Sequence, residues 1–169
     1  MERLVDMKFE ELKKISSLDL SEYILMKHGP MSHLKLQKLL FYCDAYHLAY
    51  FDVELIPDTF EAWMHGPVCR KVFQKMKGVS ILYGDMTFDK DPVKTEKKFL
   101  ELTSDQRDLV TDVLNMLAGW TGLELENATH SEDPWLDARK GCGPADKCNR
   151  SISKEATRLF YKKFLTKNA

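Results

Sequence analysis

Apolar residues recur every three or four positions along most of this chain, and the longest such stripe runs from His33 to Tyr50. Leu36, Leu39, Leu40, Cys43 and His47 fall along one face there, the pattern of an amphipathic helix. Ser32 stands where an N-cap belongs. Lys35, Gln37 and Lys38 lie mostly off the apolar seam, toward solvent or a partner. Ahead of this helix, Phe9 to Ile15 reads as a short amphipathic helix, and Tyr23 to Met26 mark another that Asp19 or Ser21 can cap. His28-Gly29-Pro30 stops it, with the glycine expected in the left-handed cap conformation and the proline unable to continue. Phe51 to Pro57 breaks the helical period.

Thr59 to Met64 alternates enough for a short strand. Gly66-Pro67 then turns the chain, and Pro67 suits the first position of a helix because its missing N–H is not needed there. Val68, Val72, Phe73 and Met76 would stripe that helix as far as Gly78. Val79 to Leu102 is punctuated by Asp85, Asp89, Asp91 and Pro92, and Ile81-Leu82-Tyr83 with Phe99-Leu100 suggests a loose hairpin. Thr103 with Gln106, and Thr121 with Glu124, each place a hydroxyl three residues before an amide or carboxylate, the capping-box spacing. The first opens a helix carrying Leu109, Val110, Val113, Leu114 and Leu117; the second opens a short helix to about Thr129. Asp133-Pro134 begins one more helical turn, Lys140 to Arg150 is a Gly- and Pro-containing loop, and Ser153 caps a last helix with Ala156, Leu159, Phe160 and Phe164 facing inward. The pattern predicts a mainly α, compact single-domain fold with minor short β-strand or hairpin content. Residues 1–18 are expected to form an N-terminal extension, residues 19–165 the domain and residues 166–169 a tail. No internal repeat and no low-complexity tract occurs.

The totals narrow the functional classes. A chain of 169 residues, 44% apolar, fits one domain with a real core. Lys and Arg number 25 against 26 Asp and Glu, a net charge of −1 that argues against chain-wide attraction to nucleic acid. No apolar run approaches the roughly 20 residues that span a membrane. Met1 to Lys14 is too charged for a secretory signal, so a cytoplasmic location with reduced thiols is expected. Cys43 reads as a small buried hydrophobe, and Cys142 and Cys148 do not have zinc-finger spacing. No phosphate-binding glycine loop is present, and no cofactor or metal is expected.

The unusual residues cluster twice. Glu61-Ala62-Trp63-Met64-His65-Gly66-Pro67-Val68 puts an indole, an imidazole and a Gly-Pro turn into one segment, and Thr129-His130 with Pro134-Trp135 repeats the theme. His65 and His130 are the titrating candidates. Glu61, four residues before His65, would share a strand face with it, so a small hydrolase built on Glu61, His65 and His130 can be imagined. The plainer reading makes each imidazole a hydrogen-bonding brace for a turn. Trp63 and Trp135 are either core aromatics or the lining of a groove. Lys154, Arg158, Lys162, Lys163 and Lys167 can touch phosphate, but a basic helix end also complements the helix dipole.

Taken in order, Lys35-Leu36-Gln37-Lys38-Leu39-Leu40-Phe41-Tyr42, the Glu61–Val68 segment, Leu123, Thr129-His130, Pro134-Trp135 and Ile152-Ser153 resemble the Panacea, or SocA-like, antitoxin domain and the related phage-associated GepA proteins. The resemblance extends over roughly Asp19 to Phe164. It implies a helical antitoxin that neutralises a cognate toxin protein by direct binding, and, in the SocA type, an adaptor that delivers the toxin to the ClpXP protease. The positions carrying it are Lys35, Gln37, Lys38, Glu61, Trp63, His65, Gly66, Pro67, Thr129, His130, Pro134 and Trp135. A DNA-binding regulator of a prophage or mobile element is a weaker alternative, which the near-neutral charge does not support.

Overall fold

A computed structural model of the protein describes residues 11–76 and 84–167. It contains eight helices and four short strands among the described residues. The chain enters in irregular form over residues 11–16 rather than as a helix, and Phe9 and Glu10 lie outside the described residues. Its backbone bonds go to the core instead: Lys13 N–H donates to Gln106 Oε1 at 3.1 Å and Ile15 N–H to Leu55 O at 3.0 Å. Helix α1 (Ser17–His28) is capped by Ser16, which accepts from Asp19 N–H at 3.1 Å. Asp19 therefore sits in the first turn, where its charge suits the helix dipole. Gly29 ends α1 in extended backbone (φ −76°, ψ 171°), not the expected left-handed cap. A Cβ there would lie 2.5 Å from Leu25 O, so close approach is what requires glycine.

Helix α2 (His33–Phe51), capped by Ser32, is the spine of the molecule. Its neighbours are α1, the hairpin strand Gly66–Val68, and the helices α5 (Ser104–Leu117), α6 (Gly122–His130) and α8 (Lys154–Lys167). A helix surrounded like this loses its polar face, and Gln37, Lys38 and His47 are as buried as Leu36, Leu39, Leu40 and Cys43. The sequence pattern put Gln37 and Lys38 off the seam; neighbours on every side bury them.

Strand β1 (Met31–Ser32) pairs antiparallel with β4 (Asp85–Met86). Strands β2 (Glu61–Trp63) and β3 (Gly66–Val68) form a tight hairpin, with Ala62 opposite Pro67 and Trp63 opposite Gly66. A third segment straps the free edge of β2: Ala62 N–H donates to Arg150 O at 2.8 Å and Ile152 N–H to Phe60 O at 2.7 Å. The helix expected to begin at Pro67 begins instead at Arg70, as α3 (Arg70–Lys75). Gln37 takes Cys69 N–H at 2.8 Å and holds the intervening backbone extended. Pro67 sits on the hairpin's outer edge, where a missing N–H leaves no ladder bond unmade.

Phe99 and Leu100 are helical, in α4 (Pro92–Leu100), not part of a hairpin; residues 81–83 lie outside the described residues. Asp91 caps α4 by accepting from Val93 N–H at 2.9 Å, and Phe99 stacks on Tyr23 at 3.7 Å between ring centroids. Both predicted capping boxes form, at the starts of α5 and α6. After α7 (Asp133–Ala138) a loop leads to α8, where Ser153 accepts from Ala156 N–H at 3.0 Å. Helix α8 is rotated relative to expectation. Thr157 and Tyr161 face in, while Leu159 is 51% exposed and Phe164 lies at the edge. Ion pairs from Lys154 to Asp44 in the C-terminal half of α2 and from Lys154 and Arg158 to Glu54 and Asp52 just after it, and a hydrogen bond from Tyr161 OH to Glu132, fix that rotation. None of the described helices is long and apolar enough to cross a membrane.

Candidate functional site

The two clusters of special residues meet around one buried lysine. Lys38 leaves α2 with no exposure and its Nζ donates to Pro67 O at 2.9 Å. Room for it comes from Gly66: at φ +102°, a Cβ there would sit 2.5 Å from Lys38 Cε and 2.9 Å from Thr129 Oγ1. Gly66 is thus required twice, by backbone conformation and by space. Burial pushes the Lys38 ammonium down to about 7, against the pull of the Glu126 carboxylate.

Glu126, on α6 and only 7% exposed, is the group both imidazoles approach. His65 Nδ1–H donates to Glu126 Oε1 at 2.5 Å, and His130 Nε2 lies 4.0 Å from the same oxygen. Burial lowers the His130 imidazole, with the Glu126 charge opposing. His130 stacks on Trp135 at 4.1 Å and 18°. Trp135 Nε1–H in turn donates to Trp63 O at 2.8 Å, joining α7 to the hairpin. Arg139 completes the joint. It lies over the Trp135 ring and donates to Ala62 O at 2.8 Å, Gly143 O at 2.8 Å and Asp146 O at 2.7 Å.

The remaining predicted residues divide between props and surface. Gln37 clamps Cys69 through its N–H and, at 3.3 Å, its C=O; it also contacts His33 Nε2 at 3.0 Å. Burial drives that His33 imidazole down to about 4, which keeps it neutral. Lys35 is half-buried and donates to Ala118 O at 2.5 Å, closing the end of α5. Gly66, Pro67, Thr129, Pro134 and Trp135 are all buried. Glu61 does not meet His65. It takes a two-pronged bond from Arg70 at 2.8 and 2.7 Å and the Trp63 Nε1–H at 2.9 Å, which hold its carboxyl below the usual range.

The hydrolase arrangement of Glu61, His65 and His130 is therefore not assembled. Glu126 occupies the place expected for Glu61, and neither it nor Arg139 stood out in the sequence. The signals were present: Glu126 is four residues before His130, and Arg139 four after Trp135, each on the same helical face. No Ser, Thr or Cys side chain among the described residues hydrogen-bonds either imidazole. The group can hold and pass a proton. Toward the outside are Trp63, Met64 at 38% exposure, Arg70 and the rings of His65 and His130, each about one third exposed.

The basic end of the chain is also engaged. Lys154 binds Asp44 at 2.6 Å and Glu54 at 3.4 Å, Arg158 binds Asp52 at 2.8 Å and Glu155 at 2.7 Å, and Lys162 reaches Asp52. Carboxylates pair with these three cations.

The family described as antitoxin SocA-like, Panacea domain, matches residues 36–136, more than half of the chain. The chain belongs to this family. No curated protein and no solved structure matches it. The matched stretch of the Panacea domain contains Lys38, the hairpin, Glu126, both imidazoles and Trp135, the pieces that converge on the buried brace. Arg139 and the strap at 150–152 fall beyond it.

Proposed function

We propose that this chain is an antitoxin that binds a cognate toxin protein in the cytoplasm, through the face carrying Trp63, Met64, His65, Arg70 and His130. Membership of the SocA-like family is the observation that carries this reading. The geometry supports the choice of face. Most motif residues are spent inside the domain as props, and the hairpin tip is where the same motif reaches solvent. Trp and Arg are the side chains that most often anchor protein interfaces, and here they stack on each other at 5.5 Å. A toxin seated on this face needs to bury about 1,600 Å² in total. In the fuller form of the proposal, the complex is handed to ClpXP for degradation of the toxin.

The test is co-expression with the adjacent reading frame. Growth arrest by that frame alone, relief by this chain and co-purification of the two are expected. Met64→Asp and Arg70→Glu should each abolish relief while leaving the circular dichroism spectrum unchanged. Relief retained by both variants rejects this face; arrest without relief or co-purification rejects the antitoxin reading. Loss of relief in cells lacking ClpX, with binding intact, separates delivery to the protease from simple blocking.

A further inference from the structure

We propose that the cavity between α1, α3 and α4 binds a nucleoside diphosphate whose base carries an exocyclic amino group. The cavity has a volume of about 600 Å³, within the range of small-molecule sites. None of Trp63, Met64, His65, Arg70 and His130 lines it, so it is separate from the face proposed for the toxin. Its walls differ in chemistry. Helix α1 presents Leu18, Asp19 and Glu22, which share one helical face. Helix α4 presents Lys94 and Lys98, and Lys75 from the end of α3 and Lys90 ahead of α4 add two more ammonium groups. Asp91 also lines the cavity, but it is engaged in capping α4 through Val93 N–H.

The lysine wall is built for anions. Lys94 and Lys98 stand one turn apart on α4, an arrangement of like charges that works against the helix. Among the described residues, the ion pairs on this side of the protein are Lys27–Glu96 at 3.4 Å and a long Lys90–Asp89 contact at 4.0 Å; Lys75, Lys94 and Lys98 make none. Three ammonium groups without carboxylate partners converge on one cavity. A diphosphate spreads its charge over several oxygens and can meet all three, since each ammonium acts as a compact point charge with rotatable donors.

The α1 wall asks for a donor. Glu22 Oε2 is covered by its surroundings and has no hydrogen-bond partner, an unfavourable state for an acceptor. Burial raises the Glu22 carboxyl, with the Lys90 charge opposing and the Asp89 and Asp19 charges adding to the rise. An amino group on a ring supplies the missing N–H, and Asp19 beside Glu22 can accept another. Leu18 and Met76, both partly buried against the core, offer apolar surface to the ring itself. Adenine, guanine and cytosine are flat, apolar on their faces and amino-bearing at their edge; uracil carries no exocyclic amine.

The test is isothermal titration calorimetry of the full-length protein with guanosine, adenosine, cytidine and uridine diphosphates and with inorganic pyrophosphate. At least one of the three amino-bearing nucleotides is expected to bind about tenfold or more tightly than uridine diphosphate and pyrophosphate. Replacing the exposed Lys94 and Lys98 together by Gln should weaken that nucleotide by about tenfold or more, with an unchanged circular dichroism spectrum. Glu22→Gln should erase its advantage over uridine diphosphate and leave pyrophosphate binding as it was. Met64→Asp, outside the cavity, should bind like the unaltered protein. No binding of any probe at millimolar concentration, pyrophosphate binding as tightly as every nucleotide, or full affinity in the double lysine variant would each overturn the proposal.

Discussion

The two ends of α2 both bring opposite charges together, and they do so under opposite conditions. Near its start, Lys38 and Glu126 lie inside the protein with 0% and 7% exposure. Past its other end, the side chains of Asp52, Arg158 and Lys162 are 55%, 23% and 43% exposed. In water two charges 4 Å apart gain only about 1 kcal/mol, while in the interior each must be compensated by hydrogen bonds or lose its charge. The outer cluster orients α8 at small energetic consequence. The inner one dictates which residues its neighbours can be: a glycine for room, a carbonyl for the ammonium, a carboxylate between two imidazoles.

That contrast can be broken by substitution. Arg139→Met removes three backbone-carbonyl bonds from a side chain only 5% exposed, and should cost roughly 3–5 kcal/mol by chemical denaturation. A loss below about 1 kcal/mol would mean that the inner region tolerates charge loss as a surface does. Gly66→Ala comes next, at roughly 2–4 kcal/mol, because it adds both backbone strain and a collision with Lys38 and Thr129. Normal stability of that variant would contradict the packing around Lys38.

A pH series sharpens the same point. The Lys38 ammonium titrates near 7 in the folded protein and near 10.5 when unfolded, so between those values the unfolded chain holds the extra proton. Stability must then rise with pH, by about 2 kcal/mol from pH 7 to 9. The gain is complete above the unfolded value and is lost as pH falls through 7. Lys38→Met should flatten the rise; an unchanged slope would place its origin elsewhere. The smallest effect is expected from Asp52→Asn. The αL backbone at φ 64° suits Asn, and the exposed pairs to Arg158 and Lys162 are screened by salt. A midpoint that moves strongly with salt in the native protein but not in the variant would promote this outer cluster to a main support.

Much of the helical framework was legible because it depends on local chemistry. Ser32, Thr103 and Thr121 cap helices where hydroxyl spacing said they would, and α2 ends one residue past its predicted end. What failed was decided by distant partners. Nothing near Pro67 in sequence announces that Gln37 will hold Cys69 extended. Lys38 looks solvated until β3 and α6 cover it. Leu159 looks buried until Lys154 and Arg158 turn α8 by pairing with acids a hundred positions earlier. The candidate site was legible as residue types, and misread in its pairings: Glu61 belongs to Arg70, and Glu126 to the histidines.

One consequence follows from the strap along β2. A chain cut after Leu136 would keep the whole stretch by which the family is recognised. It would nonetheless strand Ala62, whose amide loses Arg150 and whose carbonyl loses Arg139, and Phe60, whose carbonyl loses Ile152. Transplanting the hairpin into another protein therefore means carrying along the downstream residues as far as Ile152, past the end of the matched stretch.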